Sequence, residues 1–275
     1  MKKLILSVAM LSLGTGAMAQ GMYASFNLGY GFGTPGDMVG TVDVVDGGGN
    51  TTSTPTYGTL GGGFNIGLTP GYMISENFGI ELGLNYLLGS TLTSTDFTTP
   101  ATSTTIKTKS NQFRVSPTLV ISTGAGEGLS AYAKAGIVLP VAGSTTTNVE
   151  ATFLGGTSSQ EISSKGAFSA GFTGAIGVNF GLSDKLSIFG ELSHVSLRIK
   201  GKTQTIESSE VNGVNQLVGA TTYMLETSYV GELNSSSNNS SYNPNPVNQG
   251  AAKEELAGNS NFNALFINLG VKFNF

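Results

Sequence analysis

The chain has no cysteine, which removes disulfides and thiolate metal sites. Charge is scarce: charged residues are 11% of the 275, against about 25% in typical soluble domains. The net charge is −4 and no basic cluster exists to neutralise phosphates, so nucleic acid is excluded as a partner. Beyond the first twenty residues no stretch reaches eighteen consecutive apolar residues, and a helical membrane protein is excluded with it. No phosphate-cradling glycine motif precedes a helix. Glycine is abundant instead, 40 residues, about twice average usage, and it falls at alternate positions of extended segments. That spacing lets aromatic neighbours pack across strands and lets a sheet bend.

The first residues set an address. Lys2 and Lys3 precede an apolar run from Leu4 to Leu13, and Ala17-Met18-Ala19 follows as a small-residue cleavage site before Gln20. This order predicts a secretory signal peptide over residues 1–19, and the run is too short to span a membrane as a helix. The mature chain is then residues 20–275. Loss of Lys2 and Lys3 with the segment lowers the net charge by two. No cysteine follows the run, so it is no lipoprotein acylation signal.

Period-two alternation recurs eight times along the rest, each time long enough for a tilted bilayer crossing of roughly 9–11 residues. The first segment runs from Met22 to about Gly33, with Met22, Ala24, Phe26, Leu28, Tyr30 and Phe32 on one face. The others are predicted at about Leu60 to Ile74, from Phe78, Gln112 to Ser122, Leu129 to Val141, Lys165 to Phe180, Lys185 to Lys200, and from Leu265 to the end. In each the continuous face is apolar and the opposite face is Gly, Ser, Thr and Asn. A soluble lipocalin-like barrel would put its apolar face inside. An inside-out barrel, apolar toward lipid, is the simpler reading.

The closing residues read Asn268-Leu269-Gly270-Val271-Lys272-Phe273-Asn274-Phe275. Gly270, Phe273 and Phe275 in that arrangement resemble the closing-strand signal of bacterial outer-membrane β-barrels. The resemblance implies recognition by the outer-membrane assembly machinery, delivery by periplasmic chaperones, and location in the outer membrane of a Gram-negative-type bacterium among lipids and lipopolysaccharide. The expected fold is all-β: an eight-stranded antiparallel up-and-down transmembrane barrel, similar to the OmpA/OmpX/OmpW type. Connections alternate accordingly. Ser75-Glu76-Asn77, Thr123 to Gly128 and Gly181 to Asp184 are short. Thr34 to Thr59, Thr93 to Lys109, Ser144 to Ser164 and Gly201 to Asn261 are long. Short turns in the periplasm and long loops outside put both termini in the periplasm. The residues 201–261 are expected to be one large outer loop rather than a domain. Within it Tyr223 to Val230 is predicted as a strand pair and Asn234 to Asn248 as disordered. With Phe275 as the last residue, the peptidoglycan-binding domain that follows OmpA-like barrels is not expected. Closure removes every free edge, so the expected state is a monomer.

The interior carries few charges: Glu81, Arg114, Lys134, Glu191 and Lys272 all fall on the polar phase of their strands, which directs them into the lumen. They are expected to pair, Glu81 with Arg114 and Glu191 with Lys272, because unpaired charges there are expensive. A charged gate in a narrow pore is the other reading of the same five residues; an eight-strand lumen is usually filled by side chains.

Other chemistry is thin. His194 and Ser196 share one face of the seventh segment, close enough for the imidazole to reach the hydroxyl. The pair resembles the His-x-Ser of the lipid A deacylase barrels, which implies a lipid-facing triad with an acid; Glu207 and Glu210 are the nearby downstream acids. Asp43 to Asn50 gathers oxygens but lacks the spacing of a calcium loop and reads as a polar turn. No metal and no cofactor is expected. The best reading of function is a non-enzymatic surface protein whose long loops meet an extracellular ligand, host surface or neighbouring cell. A narrow channel for small or apolar solutes is the first alternative, as OmpW-like barrels suggest, and a lipid A hydrolase is the second.

Overall fold

The structure is a computed structural model that describes residues 21–34, 36–123 and 128–275. The predicted signal peptide, its cleavage site and the centre of the Thr123 to Gly128 turn lie outside those residues.

Eight antiparallel strands close into a ring. In order around it they are β1 (Met22–Gly33), β4 (Gly63–Met73), β5 (Phe78–Gly89), β7 (Ser103–Ser122), β8 (Leu129–Phe153), β10 (Gly171–Gly181), β11 (Leu186–Ser196) and β17 (Ala264–Asn274), which pairs back onto β1. The alternation explains the ring. Phe26, Leu28, Phe64, Leu82, Ile176 and Leu269 point outward and are exposed, whereas Tyr23, Ser25, Asn27, Asn65, Glu81 and Asn268 point inward and are buried. This inversion of the soluble pattern gives a lipid-facing apolar wall. Closure is obligatory in such a wall, because an open edge would leave backbone groups unpaired in hydrocarbon.

Four inward aromatic side chains each lie over a glycine directly opposite on the next strand. Tyr23 covers Gly71, Tyr132 covers Gly177, Phe189 covers Gly270 and Phe266 covers Gly31. A Cβ at any of these glycines would enter the ring. The small inward residues of β10 therefore mark space taken by its neighbours, not an empty lumen.

One end carries the short turns. At Ser75 to Asn77, Ile74 and Ser75 donate their backbone N–H to the Phe78 carbonyl, and Phe78 N–H donates to Ser75 Oγ. The other end rises into a crown of further strands: β2 (Asp37–Val45), β3 (Thr51–Gly58), β6 (Leu92–Thr98), β9 (Gly156–Gly166), β12 (Arg198–Val211), β13 (Val214–Asn215), β14 (Glu226–Val230), β15 (Lys253–Leu256) and β16 (Asn259–Asn261). The long connections are thus largely paired strands, with residues 231–252 as the main stretch of coil. β8 alone continues for 25 residues, paired first with β10 and then with β9.

Several boundaries differ from the sequence pattern. The sixth segment starts at Gly171, because Lys165 and Gly166 belong to β9 and pair with β12. The seventh breaks at Leu197, where the ladder to β17 ends and Asn263 Oδ1 accepts the Leu197 N–H at 2.8 Å. Tyr223 to Leu225 form a helical turn, and only Glu226–Val230 is a strand, paired with β12 and, in parallel, with β15. Asn234 to Asn248, expected to be disordered, is instead an ordered coil. Asn238 Nδ2 donates to the carbonyls of Asn248, Ala251 and Ala252, and Asn239 Nδ2 to that of Glu254. Asparagine side chains substitute here for a ladder that polar composition alone does not reveal.

Candidate functional site

The lumen is divided into layers. Nearest the short turns is a chamber of about 620 Å³ lined by Tyr23, Tyr132, Phe189 and Lys272. Its ceiling is an ionic cluster. Lys134 Nζ lies 2.9 Å from Glu81 Oε2 and 2.8 Å from Glu191 Oε2. Tyr23 donates its hydroxyl to Glu81 Oε1 at 2.7 Å, Tyr132 to Glu191 Oε2 at 3.1 Å, and Asn268 Nδ2 to Glu191 Oε1 at 3.3 Å. All four carboxylate oxygens are engaged.

All five charged residues are in the lumen, but the expected pairs are not the ones formed. Glu81 stands opposite Thr118, and Arg114 opposite Asn85. The two charges are offset by four residues, about 13 Å at roughly 3.3 Å per residue. Glu191 stands opposite Asn268, four residues short of Lys272, and the same offset separates that pair. Both carboxylates turn to Lys134. Across β10 this is possible because Ala175 and Gly177 project almost nothing between Lys134 and Glu191. Lys272 Nζ rests 3.7 Å from the Tyr23 ring centroid, a cation–π contact.

Above the cluster is a small cavity of about 90 Å³ with Arg114 in its wall. Arg114 is 2% exposed and donates Nε–H to Gln112 Oε1 at 2.9 Å. Above that, Leu87, Val138, Leu197, Phe262, Ala264 and Phe266 meet across the barrel as a fully buried apolar plug. Asn263 braces it, accepting from Leu197 N–H and, at its carbonyl, from Thr59 Oγ1. An outer chamber of about 930 Å³ lies over the plug, floored by Ile199 and Phe262 and walled by the crown. The plug and the tyrosine partners were missed in the sequence. Their signal was there: Leu87, Val138 and Phe266 are large apolar residues in the inward phase, each toward the crown end of its strand.

The wall of the outer chamber has a gap. On one side of β8 the ladder to β10 ends at Val138 and the ladder to β9 begins at Thr145. Pro140 sits in this interval and has no N–H to give. Opposite, residues 167–170 leave the sheet, and Phe168 is 82% exposed.

His194 and Ser196 point outward on β11. No hydrogen bond joins them, or ties either side chain to a carboxylate, among the described residues. Glu207 and Glu210 lie far along β12 in the crown, against β9. Asp46 turns its oxygens onto its own hairpin, accepting from Gly48 and Asn50 N–H, and Asp43 accepts from Thr41 Oγ1. No group of three or more metal-ligating side chains occurs among the described residues. Phe273 and Phe275 face outward at the turn end with ring centroids 5.3 Å apart. Gly270 accommodates the Phe189 ring.

Residues 4–214 match the outer membrane protein beta-barrel domain family. The chain belongs to that family. Outer-membrane barrels of this kind place short turns in the periplasm and long loops outside. Solved structures with similarity are small eight-stranded members. OprG from Pseudomonas aeruginosa is 13% identical with a TM-score of 0.46, over 93% of this chain and 96% of that one. Neisserial surface protein A is 10% identical with a TM-score of 0.38, over 92% and 97%. Ail, the attachment invasion locus protein of Yersinia pestis, is 9% identical with a TM-score of 0.31, over 93% and 99%. No curated protein matches the chain.

Proposed function

We propose that this outer-membrane barrel acts at its outer surface as a monomer and does not conduct through its lumen. The observation that carries this is the apolar plug beneath the crown. Six buried apolar side chains cross the lumen above an ionic cluster with no free oxygen. β7 and β8, at 20 and 25 residues, far exceed the roughly 9–11 needed to cross a bilayer. The excess builds paired strands rich in Ser and Thr, a rigid polar platform suited to an external protein or cell surface. Periplasmic chaperones and the assembly machinery are its partners during biogenesis, lipids and lipopolysaccharide its surroundings afterwards.

The test is conductance of the refolded protein in a planar bilayer, with folding checked by heat-shifted gel mobility. Silence is expected from the wild type, and openings from the double variant Leu197→Ala/Phe262→Ala. Stable wild-type openings would sink the reading. A companion assay expresses the barrel in a non-adherent strain and measures attachment to immobilised matrix proteins, with and without residues 234–248.

A second reading rests on the gap beside β8. Small apolar molecules would enter the outer chamber and leave sideways past Phe168 and Val141 into lipid. It predicts uptake of an apolar fluorophore into proteoliposomes that are electrically silent.

A further inference from the structure

We infer that the small cavity at Arg114 is a binding site for a monovalent inorganic anion of about chloride size. Within the barrel strands below the plug the lumen holds three cations, Arg114, Lys134 and Lys272, and two carboxylates, Glu81 and Glu191. Both carboxylates are taken by Lys134. Lys272 rests on the Tyr23 ring and faces the periplasmic chamber. Arg114 is the cation that is sealed from solvent without a counter-charge, and its Nη2 has no hydrogen-bond partner. A guanidinium cannot shed its proton to escape this cost, so a buried one requires a negative partner.

The surroundings are built for one. Asn85 stands directly opposite Arg114 on β5, and Ser116 is two residues along β7 on the same inward face. Both line the cavity. Asn85 Oδ1 accepts from Asn65 Nδ2, which turns the Asn85 amide N–H₂ away from that bond and leaves it to donate. Neither Asn85 Nδ2 nor Ser116 Oγ has a partner among the described residues. Three residues with unpartnered donors therefore line one cavity: Arg114 through Nη2, Asn85 through Nδ2 and Ser116 through Oγ. Glu81 and Glu191 also border the cavity, but Lys134 and the tyrosine hydroxyls hold their charge. At about 90 Å³ the cavity is far smaller than the chambers below and above it. Its size suits a small inorganic anion. The apolar plug roofs the cavity, so exchange runs from the periplasmic side past the ionic cluster.

The experiment follows thermal unfolding of the refolded barrel in zwitterionic detergent, read by gel mobility, in sodium chloride or bromide against sodium gluconate at equal ionic strength. Ligand linkage predicts a midpoint that rises with the logarithm of halide concentration and is flat in gluconate. Arg114→Gln abolishes the halide dependence, and Lys272→Gln preserves it. If Arg114→Gln does not fold, Ser116→Ala weakens the dependence instead, and bromide anomalous scattering from wild-type crystals locates the ion directly. Equal midpoints in both salts, halide dependence that survives Arg114→Gln, or water alone beside Arg114 in bromide-soaked crystals would each overturn the inference.

Discussion

With Lys134 Nζ within 2.9 Å of two carboxylates, removing that one amine leaves two negative charges facing each other in a buried layer. Lys134→Met is expected to cost about 3–5 kcal/mol, the usual penalty for breaking a buried ion pair on one side. Urea unfolding in lipid vesicles would measure it, and adding Glu81→Gln and Glu191→Gln should recover most of the loss. Asp46 poses the opposite problem, a fully exposed carboxylate held by its own hairpin. The Asn50 side-chain amide, then the Asn50 and Gly48 backbone N–H groups, lower its pKa below the ordinary 3.8. A depressed carboxylate stabilises the fold above its unfolded pKa and loses that contribution as pH falls through the folded value. The hairpin should therefore stay closed at pH 4 and loosen below it. Amide exchange at Gly48 and Asn50 would report the change, and Asp46→Ala should already be loose at neutral pH. That the five interior charges share a phase is readable from period two alone. Which of them meet is not, because partner choice depends on register, and a four-residue offset defeats pairing between adjacent strands.

Among the elements, β10 shows how glycine and aromatic positions are matched. Gly177 leaves the space that the Tyr132 ring fills, which in turn brings the Tyr132 hydroxyl to Glu191. Gly177→Leu is expected to expel the ring, break that hydrogen bond and destabilise the barrel by about 1–3 kcal/mol, the range for overpacking. Ile176→Leu, next to it but facing lipid, should be close to neutral in the same refolding assay. The barrel strands were legible because each has one continuous apolar face. The crown strands were not. Residues 144–152 of β8 and 203–210 of β12 are polar on both faces, so alternation vanishes and composition resembles a loop. What holds them is pairing of β8 with β7 and β9 and of β12 with β9, a long-range property with no local signature.

At the scale of the whole molecule the eight-fold count and the inside-out polarity followed from the sequence, whereas the layering of the lumen did not. The plug combines residues from four separate segments, Leu87 on β5, Val138 on β8, Leu197 after β11 and Phe262 to Phe266 at the start of β17, and only the ring brings them to one level. The seam between β1 and β17 carries a consequence for how the protein comes into being. Asn27 and Asn268 hydrogen-bond across 241 positions of chain, and eleven consecutive register pairs run along the same seam. Such distant contacts make for slow folding. During synthesis the β1 edge is complete long before its partner strand exists. Its backbone donors and acceptors must be kept from foreign strands over that whole interval. The time spent waiting for the last strand, rather than the strength of any one contact, then sets how often assembly succeeds.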